Sequence, residues 1–319
     1  METEIAKILA EKKSDLSPMS VKTYVNAIHK VLELIGSTSL NDLYLKNAEI
    51  VKTLKSKYEK PNTIKTKIAS IIVLIRCIET PKNKKALDKA LSEYGSEIER
   101  LTTDIKGNLV DGEKSEKMKS NWISGDDASK IKSCLRDLVG EKTEVNSPKE
   151  LMHLRNFVLF SLYQDIPSRN DLADAKLVFK PAKKEAELSD EYNYILLDKK
   201  AKKAVYQMNQ YKTAKSYGQK NIAISDELYP LLARYKEQVD KFNGGQHWAF
   251  LSNNANEKIT RNRLGVVSSH FGDCIGKKLS TTLNRHQAVS DLVPIEKMKA
   301  LADKMGHSVD EAVSVYAKV

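Results

Sequence analysis

The chain has 319 residues and carries 53 Lys and Arg against 42 Asp and Glu, a formal net charge of +11. That excess points to a polyanionic partner, and 41% hydrophobic residues with only 13 Gly and 8 Pro exclude a fibrous or low-complexity chain. The length suits two domains better than one, because single cores stop growing at about 250–300 residues.

The amino terminus carries Glu2, Glu4, Lys7, Glu11 and Lys12 on a mixed helical pattern, without the apolar core of a secretory signal. Between Ser17 and Gly36, the residues Val21, Tyr24, Val25, Ile28, Val31, Leu32 and Ile35 recur at three- and four-residue spacing, which predicts an amphipathic helix. A second helix is predicted after Pro61, with Ile64, Ile68, Ile71, Ile72 and Ile75 on one side, and a third around Leu91, Tyr94, Ile98, Leu101 and Ile105. Residues 1–110 therefore read as a small all-helical domain. The polar stretch from Gly107 to Asn121 has little periodicity, which puts a linker at 111–122.

Residues 123–319 read as a second domain. Ser147-Pro148-Lys149-Glu150 combines an N-cap serine, a proline at the first helical position and a glutamate for a capping box, and the helix it opens stops before Pro167. Three strand-like segments follow, Tyr192 to Leu197, Ala204 to Tyr211 and Asn221 to Ile224, the last two forming a hairpin with Gly218 in its connection. Helical patterning returns over Asp226 to Phe242, Thr260 to Ile275, Thr282 to Leu292 and Ile295 to Met305. The expected fold class is mainly α with a small antiparallel β-sheet. The longest apolar stretches, Ile71 to Ile75 and Phe157 to Leu162, fall far short of the ~20 residues that cross a bilayer, so a soluble intracellular protein of cytoplasm or nucleus is expected. Cys77, Cys134 and Cys274 are far apart in sequence and indicate neither a disulfide framework nor a zinc site.

At the carboxyl end, Ser308 and Glu311 suit a capping box for a last helix, on which Val309, Ala312, Val313 and Tyr316 share a face. Taken alone, Tyr316 reads as a core tyrosine. Taken alone, Arg169 reads as a partner for Asp171 or Asp174, Lys212 as an exposed turn charge, and Arg285 and His286 as helix-surface residues.

Together they form a pattern. Gly306-His307 stands nine residues before Tyr316, Arg285-His286 lies upstream in Thr282-Leu283-Asn284-Arg285-His286, and Arg169 lies in Ile166-Pro167-Ser168-Arg169-Asn170-Asp171-Leu172. In this order and spacing the chain resembles the tyrosine recombinase (phage integrase) family, with Lys212-Thr213 similar to that family's β-hairpin lysine. The likeness is greatest to the lysine- and asparagine-rich integrases of large DNA viruses and mobile elements. Two departures are visible: Thr282 stands where the family's His-x-x-Arg box has its first histidine, and Arg169 is two rather than three residues before Asp171, the aligned position being Ser168.

The resemblance implies a core-binding domain in the amino-terminal helices, a recombinase-like catalytic domain after the linker, and double-stranded DNA as partner. Tyr316 would attack a phosphodiester, Arg169 and Arg285 would stabilise the charge gathering on its non-bridging oxygens, and His307 would add a hydrogen bond. Lys212 would protonate the departing 5′ oxygen, and His286 would supply part of what Thr282 lacks. The 3′-phosphotyrosine keeps the bond energy for rejoining, so no cofactor, metal or ATP is expected. A site-specific recombinase or integrase fits this pattern. A type IB topoisomerase or telomere resolvase would use the same chemistry, and a DNA-binding protein with impaired catalysis is the alternative that the two departures favour. With Ala317, Lys318 and Val319 alone after Tyr316, the expectation is a monomer in solution that assembles as a dimer or tetramer on DNA.

Overall fold

The computed structural model describes residues 2–79, 81–108, 114–141, 144–180, 188–290, 301–302 and 304–306. It divides into two compact units, Met1–Asp111 and Gly112–Val319. Among the described residues, no helix is long and apolar enough to cross a membrane.

The first unit is all helical: α1 (Glu2–Lys12), α2 (Pro18–Leu34), α3 (Asp42–Leu45), α4 (Asn47–Lys57), α5 (Pro61–Ile75) and α6 (Lys84–Asn108). Ser17 caps α2 by accepting from the Ser20 N–H, with Pro18 at the first helical position. The isoleucine repeat of α5 supplies the centre, Ile68, Ile71 and Ile75 being fully buried against α2 and α6. Each such side chain contributes about 1.5–3 kcal/mol by leaving water. Tyr94 of α6 is equally buried and its hydroxyl donates to the Leu43 carbonyl at 2.7 Å, so this large side chain leaves no polar atom unsatisfied.

The second unit begins with α7 (Glu116–Asn121), α8 (Gly125–Val139) and α9 (Pro148–Asp165). The expected linker at 111–122 thus needs correction in its second half. Ser115 caps α7, and Met118 and Trp122 pack on the core of this unit, two apolar residues being enough to seat a short helix whose other positions are solvated. Ser147 caps α9 as expected, accepting from the Glu150 N–H, while the Glu150 carboxylate reaches the Asn146 N–H one residue earlier than a standard box.

A 3-10 helix (Asn170–Asp174) leads into β1 (Ala175–Phe179), followed by β2 (Asn193–Asp198), β3 (Lys203–Met208), α10 (Ala214–Tyr217) and β4 (Lys220–Ile224). The sheet order is β1-β2-β3-β4. The three strands read from sequence are antiparallel neighbours, as expected, while β1 adds a parallel edge in register Ala175↔Asn193 to Phe179↔Leu197, so the sheet is mixed. Residue alternation reports which face is buried and is blind to pairing direction.

The chain continues through α11 (Tyr229–Asp240), α12 (Arg261–Ser269), a 3-10 turn (Asp273–Ile275) and α13 (Thr281–Ser290). The single helix expected over Thr260 to Ile275 breaks after Ser269, and the turn that follows brings Gly272 so close to the Lys277 carbonyl that a Cβ there would collide with it. The fold is mainly α with a small sheet, and α9 runs through its second core with Leu154, Val158, Leu159 and Phe160 fully buried.

Candidate active site

Asp171 is the centre of the arrangement. Its side chain is buried, and the Arg261 guanidinium meets it at 3.0 Å while also bonding Asp174 through Nε at 2.6 Å. Lys258 reaches the other Asp174 oxygen at 2.9 Å. Burial pushes the Asp171 carboxyl above the usual carboxylate range, and the charges of Arg261, Arg169 and Arg285 pull it back. Burial acts on Asp174 in the same direction, but hydrogen bonds from Lys258 and Arg261 outweigh it and hold that carboxyl below its usual range. Arg261 is thus ion-paired to this buried carboxylate, and the charges of Arg169 and Arg285 act on it as well. Two of them, Arg169 and Arg285, are candidates from the sequence. Arg261 was missed by sequence reasoning, since nothing in Thr260-Arg261-Asn262-Arg263 signals that α12 starts beside Asp171.

The departure at the first box has a local geometry. Ser168 is buried and its hydroxyl donates to the Arg169 carbonyl at 3.1 Å, so it serves its own backbone. Arg169 is half-buried at the entry to the 3-10 helix.

Lys212 is exposed on the β3–β4 connection, and the backbone on either side of it is tied down. Before it, Asn209 and Gln210 donate their N–H groups to Asn193 Oδ1 at 2.9 Å and 2.8 Å. After it, Thr213 Oγ1 donates to the Gly306 carbonyl at 3.1 Å. Tyr211 closes the loop by donating its hydroxyl to the Gly218 carbonyl at 2.7 Å. Gly306 adopts φ +70°, and a Cβ there would press on the Tyr211 ring at 3.3 Å. The segment bearing Lys212 and the residue preceding His307 are thus neighbours. Lys304 points Nζ at the Asp165 carbonyl, 3.5 Å away, which sets the same segment beside the end of α9.

On α13, Arg285 is buried and its Nη2 donates to Thr282 Oγ1 at 3.3 Å. Its charge acts on Asp171 and on the deeply buried Tyr163, whose hydroxyl burial pushes well above the usual tyrosine range. Thr282 and His286 face differently: they line a cavity of about 380 Å³ with Met118, Asn121, Lys278 and Leu283. The helix therefore carries a buried guanidinium whose charge acts on Asp171 and an imidazole in a hollow edged by Lys117 and Lys278. Helix α13 and the segment before it are tied to the start of α8, Gln287 Nε2 donating to the carbonyl of Ile123 just ahead of that helix at 2.9 Å and Lys277 donating to Asp127 within it at 2.7 Å.

Of the six candidates, Arg169, Lys212, Arg285 and His286 are described. His307 and Tyr316 lie outside the described residues. The other tyrosines near the arginines, Tyr163 and Tyr206, are fully buried, and burial holds both hydroxyls protonated. Among the described residues, no group of three or more His, Cys, Asp or Glu side chains is arranged to hold a metal ion.

No protein-family model and no curated protein matches the sequence. Among solved structures, the chain is similar to that of XerA recombinase, with a TM-score of 0.41 and 13% identity, over 100% of this chain and 94% of that one. At that identity few side chains are shared, and the functional reading rests on this chain's own residues.

Proposed function

We propose that the chain is a DNA breaking-and-rejoining enzyme, a site-specific recombinase or integrase, working through a 3′-phosphotyrosine. The observation that carries this reading is that the charges of Arg169 and Arg285, two candidates far apart in sequence, both act on the one buried carboxylate, Asp171. A set of guanidinium charges gathered around a buried carboxylate suits the binding of a scissile phosphate, whose non-bridging oxygens gain charge as the tyrosine attacks.

In this mechanism the Tyr316 oxygen forms a bond to phosphorus and gives its proton to a neighbouring base. The bond from phosphorus to the 5′ oxygen breaks, that oxygen keeps the electron pair, and the Lys212 ammonium protonates it. His307 hydrogen-bonds a non-bridging oxygen. The reading is supported by the Thr213–Gly306 contact, since a general acid and a phosphate-binding histidine must approach the same phosphate. The net charge of +11 suits a clamp on duplex DNA, with the first unit as its DNA-binding half and monomers meeting on paired sites.

Incubation with a library of nicked duplexes tests the proposal. A covalent protein–DNA adduct that survives denaturation supports it, and DNA binding without any adduct contradicts it in favour of a binding protein. That second reading draws on Thr282, which is exposed and bonded to Arg285 where a histidine would otherwise stand. A type IB topoisomerase or telomere resolvase would form the same adduct, and the products on paired sites separate these roles.

A further inference from the structure

We infer that Asn193 is the residue that positions Lys212 for proton transfer, by holding the start of the connection that carries it against the segment that carries Arg169. This rests on the recombinase reading above.

Asn193 opens β2 and is fully buried. A buried amide is costly unless its hydrogen-bonding capacity is used, and here it is used on two separate segments. Its Oδ1 accepts from the N–H groups of Asn209 and Gln210, while Nδ2 donates to the Gln210 carbonyl at 3.0 Å and points at the Asp171 carbonyl, 3.4 Å away. The regular β2–β3 pairing ends at Tyr194↔Gln207, and beyond it the Asn193 side chain replaces the next stretch of partner backbone. It thereby carries β3 past its last paired residue into the connection. Two further bonds fix the same stretch, from Asn209 Nδ2 to the Tyr192 carbonyl at 2.8 Å and from Gln210 Nε2 to the Asp190 carbonyl at 2.9 Å.

Lys212 lies two residues beyond Gln210, and Arg169 two residues before Asp171. One side chain thus sets the separation of the acid from a phosphate-binding arginine. A lysine on an otherwise exposed connection gains a defined origin for its flexible stem only if the backbone beneath it is fixed. Asparagine is suited to the task, since it offers an acceptor and a donor side by side, as a peptide unit does.

The test compares two leaving groups. A site recovered from wild-type adducts is resynthesised with oxygen or sulfur as the bridging 5′ atom. A thiolate departs without a proton, so sulfur removes the need for a general acid. The readout is the single-turnover rate constant, which is independent of how much of the preparation is folded. The expected result is that N193A cleaves the oxygen-bridged duplex about 10–100-fold more slowly than wild type, and the sulfur-bridged duplex within a few fold of it. Lys212→Ala should show the same rescue and Arg285→Ala should not. An equal loss on both duplexes, or none on either, overturns the assignment. If N193A does not fold, N193S keeps a small donor and acceptor and is judged by the same ratio; failure of both to fold makes Asn193 a residue of the fold alone and also overturns it. A wild-type chain that forms no adduct contradicts the recombinase reading itself, whereas an active wild type with equal losses in N193A contradicts only the role of Asn193.

Discussion

Thr213 donates a hydrogen bond to the carbonyl of Gly306 at 3.1 Å, joining residues 93 positions apart. It couples the connection that presents Lys212 to the segment that leads into His307. Replacing Thr213 by valine keeps the shape and deletes the bond, which is worth about 0.5–1.5 kcal/mol. If the contact aligns acid and histidine on one phosphate, Thr213→Val should slow cleavage about 3–10-fold. Affinity for the same duplex should not change. Single-turnover cleavage beside a binding isotherm checks this, and a loss confined to affinity would contradict it.

Gly306 answers to the same contact from the other side. Its φ of +70° is unfavourable for a residue with a Cβ, and the space where that atom would go is closed by the Tyr211 ring. Gly306→Ala should therefore destabilise the second unit by about 1–2 kcal/mol, measured by urea denaturation. An unchanged midpoint would mean that this turn relaxes without cost.

These contacts mark the boundary of what the sequence discloses. Helices α2, α5 and α9 are legible because each combines a start signal with a broad apolar face: Ser17-Pro18, Pro61 and Ser147-Pro148 are followed by repeats of Val, Ile and Leu. Helix α8 is not, since Ile131 and Leu135 are its only fully inward residues and the rest reads as solvated polar chain. Strand β1 is hidden for the same reason, alternating Lys176 and Val178 with only two buried partners before it ends. The candidates Arg169, Lys212, Arg285 and His286 could be named from their order, whereas Asn193, Arg261 and the role of Asp171 depend on segments meeting in space. Cys134 and Cys274 make the point in miniature: far apart in sequence, they are close enough in the fold for Cys134 to add to the burial that raises the Cys274 thiol, and both are free thiols.

The first box offers a choice between neighbours. Ser168 is buried and bonded to its own backbone, while Arg169 acts on Asp171, so Arg169→Ala and Arg285→Ala should each lower the cleavage rate about 10²–10³-fold. DNA affinity should fall far less, because the charge they face peaks in the transition state. Ser168→Ala should cleave at the wild-type rate. A large loss in Ser168→Ala beside a normal Arg169→Ala would move the box by one residue.

The carboxylates beneath the arginines give the site an acid limit. Asp174 has a folded pKa lowered from 3.8, because hydrogen bonds from Lys258 and Arg261 outweigh burial. A depressed carboxylate contributes stability that is present above the unfolded pKa and lost as pH falls through the folded one. Asp171 works in the opposite sense: burial raises its pKa, so its contribution is present below 3.8 and declines as pH rises through the folded value. Asp174→Asn should therefore flatten the acid limb of unfolding free energy against pH, and Asp171→Asn should leave that limb in place. Denaturation at a series of pH values from about 3 to 7 reads both slopes. Parallel curves for Asp174→Asn and wild type would show that Lys258 and Arg261 do not favour the ionised form.

The identity of the nucleophile can be separated from the rest of the machinery, because the described tyrosines divide clearly. Tyr163 and Tyr206 are fully buried with hydroxyls that burial keeps protonated, and the Tyr211 hydroxyl is committed to the Gly218 carbonyl. Tyr217 is the rival, being 51% exposed on α10, five residues after Lys212 and with Lys220 Nζ 5.2 Å from its ring centroid. Exposure alone would recommend Tyr217 as a nucleophile. Its place argues otherwise: it sits on the same short connection as the acid, whereas attack and departure occur on opposite sides of phosphorus and need groups on different segments. Tyr316→Phe should therefore abolish the denaturation-resistant adduct while leaving DNA affinity nearly unchanged, and Tyr217→Phe should form it at the wild-type rate. Digestion of the wild-type adduct and mass spectrometry of the nucleotide-bearing peptide decides between them directly, a modified Tyr217 peptide being the outcome that reassigns the nucleophile.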